Sequence, residues 1–481
     1  MKWSTLQTDI FNFVEFDSGN AIIEAVAGSG KTTTIVEAIN RVPSTQSAIF
    51  LAFNKSIADE LKARGVNAKT FHSLCCGAAM RALNANNVSA DKSMKMMRDH
   101  FSEDENFKYA SFVTRLVGLG KQVGVGCLVP DTQQVWYDII DHHDLELEKE
   151  DTSITRAMEI ASELLTLSNS SNMIDFDDML YIPVLKGLSL PKFYFIFVDE
   201  AQDTNAIQRA ILRKIMGPRS RMVAVGDPAQ AIYGFRGADS NSLNRIQKEF
   251  GCKRFPLSVS YRCDAAIVEY ARNWVDHIQA RPDAAAGEVR HMNYEWDVNV
   301  FTPEDLVVCR TTRPLIALAF KMLRARIPVT VMGREIGQGL VKLIRKFKTN
   351  EISVLETKIE WWAQRETEKA VAKMDESKAA AIEDKAQCLL MLAGEIGEEG
   401  GDVQALINTI EELFTPTRNS TTLATIHKAK GLEADTVYWL NSSQCPSKWA
   451  RQHWQKVQEA NLCYVATTRA KSLLCLIEMR D

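Results

Sequence analysis

Two parts of this 481-residue chain alternate apolar runs of strand length with stretches of helical spacing, and a long polar segment of helical character interrupts each part. In the first part, AIIEA (21–25) leads through a glycine-rich turn into IVEAI (35–39), and a second strand run, FIFV (195–198), follows much later. Between them, residues 75–170 read as helical and polar, so they form an insertion inside one α/β domain. The second part begins near Phe255. Its clearest strands are LVVCR (306–310), IPVTVMG (327–333), TTLATIH (421–427), VYWL (437–440) and SLLCLI (472–477). From 340 to 414 the chain is rich in Ala, Glu and Lys, and the run 366–401 predicts long surface helices ending in glycines. Its apolar seam is too irregular for a heptad repeat. The fold class is therefore α/β, with two parallel sheets in separate domains, each carrying a mainly helical insertion.

The chemistry sits where strands end. FIFVDEAQDT (195–204) runs into adjacent carboxylates, Asp199 and Glu200, at a position where open α/β sheets place their ligands. Such a pair suits a cation. Asp199 can hold Mg²⁺ carried on nucleotide phosphates, and Glu200 can take a proton from an attacking water. The matching cradle lies upstream in AIIEAVAGSGKTTT (21–34), which has the strand, glycine loop and helix of a P-loop in order. Ala27, Gly28, Ser29 and Gly30 offer backbone N–H groups to phosphate and Lys31 supplies charge. Thr32 gives its hydroxyl to Mg²⁺, with Thr33 beside it in the first turn of a helix whose N-terminus favours anions. A plain Gly-Ser turn is the competing reading, and the acidic strand downstream weighs against it.

A formal net charge of -4 excludes a globally basic nucleic-acid binder, so any such contact must use a local groove. No run approaches the length of a bilayer span, which predicts a cytoplasmic protein without a membrane partner. The ten cysteines include no Cys-x-x-Cys pair and read as reduced core thiols.

Taken in order, the motifs resemble the UvrD/Rep/PcrA-type superfamily 1 DNA helicases over nearly the whole chain. Their wording is most similar to the compact bacterial and phage forms and to the helicase core of F-box DNA helicases. The P-loop is followed by LAFNKSIADEL (51–61), KTFHSL (69–74), DFDDML (175–180), VDEAQD (198–203) and VGDPAQAIYGFRGA (225–238). LSVSYR (257–262), ATIHKAKGLEAD (424–435) and LCYVATTRA (462–470) complete the series. The resemblance implies two RecA-like domains. The first spans 1–74 and 171–254 around the insertion 75–170, and the second spans 255–339 and 415–481 around the insertion 340–414.

It also implies residue roles. Gln7 resembles the group that reads the adenine edge, with a capping or surface glutamine as the alternative. Tyr261 resembles the residue that stacks on the base, and Glu433 the one that contacts ribose. Arg262 and Arg469 resemble two arginine fingers, whose guanidinium forks suit charge spreading over γ-phosphoryl oxygens. Gln230 resembles the γ-phosphate sensor. Tyr233, Phe235 and Arg236 align with the single-stranded DNA track, where an aromatic face accepts any base. Phe53, Asn54, His72, Thr425 and His427 fall at further track positions, and it stays open whether Phe53 stacks on a base or packs inside.

Two departures bear on activity. The second insertion is much smaller than in the large family members, and the chain stops twelve residues after Arg469, before a duplex-splitting hairpin could form. The segment SSQCPSKWARQHWQ (442–455), with Trp449 and Trp454, is a candidate replacement, or its tryptophans cap the core. The function implied is an ATP- and Mg²⁺-dependent helicase moving 3′ to 5′ on single-stranded DNA and at single-strand/duplex junctions. It would serve replication, recombination or repair at the nucleoid or in a phage-infected cell, with a replication or recombination protein as a partner of open identity. Two other readings remain: a translocase that strips proteins without unwinding, and a module whose ATP binding only switches DNA affinity.

Overall fold

The computed structural model describes residues 3–43, 47–147, 149, 151–234, 241–292, 294, 296–372, 376–415 and 419–479. The chain divides into two compact units, residues 1–26 with 30–258 and residues 27–29 with 259–481.

The first unit is built on β1 (Ala21–Ala25), β2 (Ala48–Ala52), β3 (Ala68–Thr70), β4 (Phe193–Val198), β5 (Met216–Gly226) and β6 (Lys253–Leu257). They form one sheet in the order β3-β2-β4-β5-β1-β6, parallel at every pairing. Strands buried on both faces need apolar residues at successive positions, and β2 and β4 show it. Phe50, Phe195 and Phe197 point into a core shared with Ile10, Phe11 and Val14 of helix Thr5–Phe16 and Ile35 of helix Lys31–Asn40. Ile49, Leu51, Ile196 and Val198 point the other way, into a core continuous with the inserted helices.

Those helices are Lys92–His100, Glu103–Val123, Gln133–His142 and Ile154–Ser168. The helical stretch does not stop at 170. Asp175 caps a further helix, Phe176–Leu185, through a reciprocal box with Asp178, and Met179 to Ile182 of that helix are buried in the same core. The insertion is thus fused to one face of the sheet by a common core.

In the second unit β7 (Val259–Ser260) pairs with β8 (Gln279–Ala280). The main sheet contains β9 (Glu288–Met292), β10 (Leu306–Cys309), β11 (Val329–Val331), β12 (Thr421–Thr425), β13 (Ala434–Leu440) and β14 (Ala470–Ile477). Its order is β11-β12-β10-β13-β14-β9, again all parallel. Helix Ile352–Ala372 is a surface helix, as its composition suggests, with Trp361 exposed, but helix Glu376–Glu398 is not. Leu389, Leu392, Ala393 and Ile396 form an apolar stripe along helix Glu376–Glu398, buried in one core with Leu355 and Ile359 and with Leu315 and Leu318 of helix Arg313–Arg324. Composition records the charged face and hides the stripe.

A parallel sheet sends all its carboxyl ends to one edge. Because β4, β5 and β1 are neighbours, the loops after them open side by side, while those after β2 and β3 open further along the same edge.

Candidate functional site

At the end of β1, Gly28 and Gly30 adopt φ of 71° and 78°, a left-handed backbone open to glycine at little cost. Gly30 caps helix Lys31–Asn40, and its carbonyl accepts from Thr34 N at 2.8 Å. Thr32 and Thr33 are exposed on the first turn. Ser29 is buried and its Oγ has no hydrogen-bond partner among the described residues, an orphan that a bound oxyanion would satisfy. Gln7 lies beside this turn, buried. Its Oε1 accepts from Ser4 N at 3.1 Å, in the capping box, and its Nε2 donates to Thr34 Oγ1 at 2.9 Å. The side chain therefore caps its own helix and also braces the phosphate-loop helix.

The loops after β4 and β5 carry a continuous polar relay. Lys31 Nζ is 3.9 Å from Glu200 Oε1. Glu200 has φ 48° and ψ 41°, a left-handed conformation that costs a non-glycine residue about 1–2 kcal/mol. Glu200 Oε2 accepts from Gln202 Nε2, and Gln202 Oε1 accepts from Asp227 N at 3.0 Å. Asp227 Oδ2 in turn accepts from Gln230 Nε2 at 2.7 Å, and its Oδ1 from Ala229 N at 3.1 Å. Gly226, ending β5, is required here because a Cβ would collide with Gln202. Burial pushes the Asp227 carboxyl above its usual range, against the pull of Lys31 and the Gln230 hydrogen bond. Asp199 is buried, and its Oδ1 accepts from Glu200 N at 2.9 Å.

The strand-end pattern points to Asp199 and Glu200 and the family resemblance to Gln230, but neither assigns a role to Gln202 or Asp227, which join Glu200 to Gln230. A signal was available. MVAVGD (222–227) is an apolar strand ending in a carboxylate, the same pattern that reveals Asp199.

Among the described residues no group of three or more His, Cys, Asp or Glu is placed to hold a metal ion. A Mg²⁺ held by Asp199 and Thr32 and completed by phosphates and water needs no such group, so the donor set fits.

Further along the edge stand aromatic rings. Phe53, 42% exposed, stacks on Tyr233 with centroids 5.9 Å apart and planes 14° from parallel, so it does not pack inside. Asn54 caps helix Lys55–Ala63, its Oδ1 accepting from Ile57 N at 2.9 Å. His72 meets Phe176 edge-on, centroids 6.4 Å apart, and burial holds the imidazole below its ordinary pKa. Phe176 is 58% exposed at the start of its helix and had no role in the reading of DFDDML. A phenylalanine inside a capping box, at the first position of its helix, was the available cue. Phe235 and Arg236 lie outside the described residues.

The second unit gathers four of its candidates. Arg262 Nε is 2.7 Å from Glu433 Oε2, and its Nη1 donates to Thr468 O at 3.1 Å. Burial opposes ionisation of Glu433, but Arg262 and Lys471 outweigh it and hold the carboxyl below its usual range. Arg469, 1% exposed, donates to Val465 O and Leu432 O, both at 3.0 Å, and to Thr468 Oγ1 at 3.3 Å. Tyr261, next to Arg262, is 40% exposed. Thr425 ends β12 and caps the short helix Ile426–Ala429 that carries His427, so these two stand apart from the arginine group, at the other end of a strand. Trp449 and Trp454 are both partly buried, with Lys448 Nζ 4.9 Å from the Trp449 ring centroid. No helix among the described residues is long and apolar enough to cross a membrane.

Residues 6–251 match the family profile of the UvrD/REP helicase N-terminal domain, and residues 341–481 that of the UvrD-like helicase C-terminal domain. A probable DNA helicase II homolog of Mycoplasma pneumoniae is 26% identical over 304 residues, covering 56% of this chain and 42% of the relative. The ATP-dependent DNA helicase UvrD1 of Mycobacterium tuberculosis is 25% identical over 65% of this chain and 48% of its own length. For the ATP-dependent DNA helicase Rep of Escherichia coli the figures are 26%, 54% and 41%. The chain thus spans about half the length of the curated relatives it matches. With one profile covering more than half of its residues, the chain belongs to the UvrD/Rep helicase family.

Proposed function

We propose that the chain is an ATP-dependent motor on single-stranded DNA, moving 3′ to 5′ and opening duplex at single-strand junctions. The observation that carries this reading is the relay Lys31–Glu200–Gln202–Asp227–Gln230, with exposed aromatic rings on the same sheet edge. Gly28, Ser29, Gly30 and Lys31 bind the phosphates. Glu200, held by Gln202, takes the proton of the attacking water, and Gln230 orients that water or the γ-phosphate. Arg262 and Arg469 complement the charge of the transferred phosphoryl group, with Tyr261 against the base and Glu433 at the ribose. Asp199 and Thr32 hold Mg²⁺, which when bound supplies Lewis-acid stabilisation of the phosphates.

On the DNA side, Phe53, Tyr233, His72 and Phe176 offer faces and edges to unstacked bases, giving a grip tolerant of sequence. Tyr233 lies three residues from Gln230, so one short segment joins the nucleotide relay to the track. A merely ATP-switched binder would have no use for a general base wired in this way, which favours hydrolysis. Work on DNA places the protein in the cytoplasm, at the nucleoid or on phage DNA. Strand displacement on duplexes with 3′ or 5′ tails, run beside DNA-stimulated ATPase, tests the reading. Unwinding restricted to 3′ tails is the expected result. ATPase stimulation without displacement leaves a protein-stripping translocase, and no stimulation by DNA refutes the motor.

A further inference from the structure

The inserted helices of the first unit bury two ammonium groups that the nucleotide relay does not use. Lys92 and Lys121, on helices Lys92–His100 and Glu103–Val123, are 0% and 1% exposed. Lys92 Nζ lies 2.7 Å from Asp178 Oδ2 and donates to Ser168 O at 2.8 Å. Lys121 Nζ lies 2.8 Å from Asp175 Oδ2 and 2.7 Å from Asp178 Oδ1. The two aspartates also cap their own helix: Asp178 N donates to Asp175 Oδ1 at 2.7 Å, and Asp175 N to Asp178 Oδ2 at 3.0 Å. Three of the four carboxylate oxygens accept hydrogen bonds and Asp178 Oδ1 has the Lys121 ion pair alone. The neighbouring Asp177 carboxyl, pushed up to about 6 mainly by burial, is a third acid beside the two ammonium groups.

A buried ion cluster of this kind is seldom more stabilising than apolar side chains of the same volume, because desolvation offsets the Coulomb gain. What it supplies is direction. The clamped segment is the first turn of helix Phe176–Leu185, and two residues are flanked by the clamp points: Asp177, which accepts from Gln122 Nε2 at 3.1 Å, and Phe176, more than half exposed and edge-on to His72. We propose that Lys92 and Lys121 are positioning residues for the DNA grip: by locking Asp175 and Asp178 they aim the Phe176 ring at a nucleobase, so the helical insertion takes part in holding the strand. This rests on the reading above that Phe176 stacks on single-stranded DNA.

The test compares Lys121→Met and Lys92→Met, which keep length and lose charge, with Phe176→Ala. Melting temperature, the ratio of DNA-stimulated to basal ATPase, and the fluorescence of 2-aminopurine in oligothymidylate, which reports base stacking, are measured on the full chain. Each lysine variant is expected to melt below the wild-type temperature, because it leaves a buried carboxylate unpaired, and, where it is folded, to keep its basal ATPase, bind the oligonucleotide about fivefold or more weakly, and lose the stacking signal. In the Phe176→Ala background the same lysine changes should add less than about twofold, since they act through that ring. Full additivity overturns the inference, as does unaltered binding and stacking in the lysine variants. A uniform loss of stability and every activity overturns it too.

Undiminished DNA binding in Phe176→Ala instead removes the stacking reading and the inference together. A defect in Phe176→Ala with none in the lysine variants removes the inference alone. Should both lysine variants fail to fold, Asp178→Asn, which keeps volume and a capping oxygen, decides the matter: lost stacking is expected, and retained stacking refutes.

Discussion

The two clusters that family resemblance assigns to one nucleotide are held by opposite means. In the first unit, carboxylates and amides alternate along Glu200, Gln202, Asp227 and Gln230, so each acceptor meets a neutral donor and the geometry is fixed by hydrogen bonds. Lys31 stands off at 3.9 Å, and Glu200, the proposed base, sits on a left-handed backbone. In the second unit two guanidinium groups are already engaged. Arg262 is paired with Glu433 at 2.7 Å, and Arg469 is spent on backbone carbonyls. A preorganised acceptor relay can work without rearrangement, whereas a committed cation must first change partners. The first cluster should therefore set the chemistry outright, and the second should set how often it is reached.

The hardest blow to that contrast falls on the first unit. Lys31→Ala is expected to abolish productive nucleotide binding. Glu200→Gln should keep ATP bound and hydrolyse it at least about a hundredfold more slowly, since a general base contributes about 10²–10⁴-fold. Single-turnover hydrolysis beside fluorescent-nucleotide binding separates the two, and near-normal turnover in Glu200→Gln would remove the assigned base.

Next come the arginines. Arg262→Ala and Arg469→Ala should each lower kcat, by about a hundredfold, far more than they weaken ATP binding, as expected for charges that complement the transition state. The structure splits them on a second axis. Arg469 is buried and satisfies carbonyls of Val465 and Leu432, so its loss should also lower the melting temperature, with a cost of about 1–3 kcal/mol for the groups left unpaired. Arg262, with a side chain 19% exposed, should leave the melting temperature nearly unchanged. Effects confined to KM would make both ordinary ground-state contacts.

That split shows where sequence stops being informative. Strand runs that end in glycine or acid are legible because backbone geometry and burial dictate them locally, which is why β1 and β4, the glycine loop and the Asp199–Glu200 pair can be read directly. Arg469 reads as a solvent-facing or phosphate-facing cation, but its burial depends on carbonyls released 37 residues earlier at Leu432, a long-range fact. Gln7 likewise braces Thr34 across 27 residues, and Asp178, in the first turn of the helix that carries Phe176, is held by Lys92 from 86 residues away. Helix Glu376–Glu398 is hidden for the same reason: its apolar stripe is buried in a core shared with Leu355 and Ile359 of another helix, which composition does not record.

A smaller effect should follow from cutting the relay at its middle. Gln202→Ala leaves Glu200 Oε2 without its amide donor and Asp227 N without its acceptor, while removing no charge. Losing one hydrogen bond to a charged group costs about 1.5–3 kcal/mol, so kcat should fall between about tenfold and about a hundredfold with KM little altered. Stopped-flow phosphate release resolves this. A change in KM alone would mean that Gln202 holds substrate, not the base.

The smallest effect tests the second unit's committed cation. Glu433 is both the presumed ribose contact and the partner that occupies Arg262, so Glu433→Gln acts on two quantities with opposite signs. Losing the ribose contact should raise KM for ATP a few-fold and narrow the preference for ATP over 2′-deoxy-ATP. Releasing Arg262 removes a Coulomb attraction that holds the guanidinium away from phosphate, at a partly exposed site where such pairs contribute about 1 kcal/mol or less. kcat should therefore hold steady or rise by less than about fivefold. Steady-state kinetics with both nucleotides, at low and high salt, separates the contributions, because salt weakens the ion pair and should bring wild-type kcat toward that of the variant. A fall in kcat comparable to that of Arg262→Ala would show instead that Glu433 holds Arg262 in its working position, and the contrast between a ready relay and a committed cation would no longer stand.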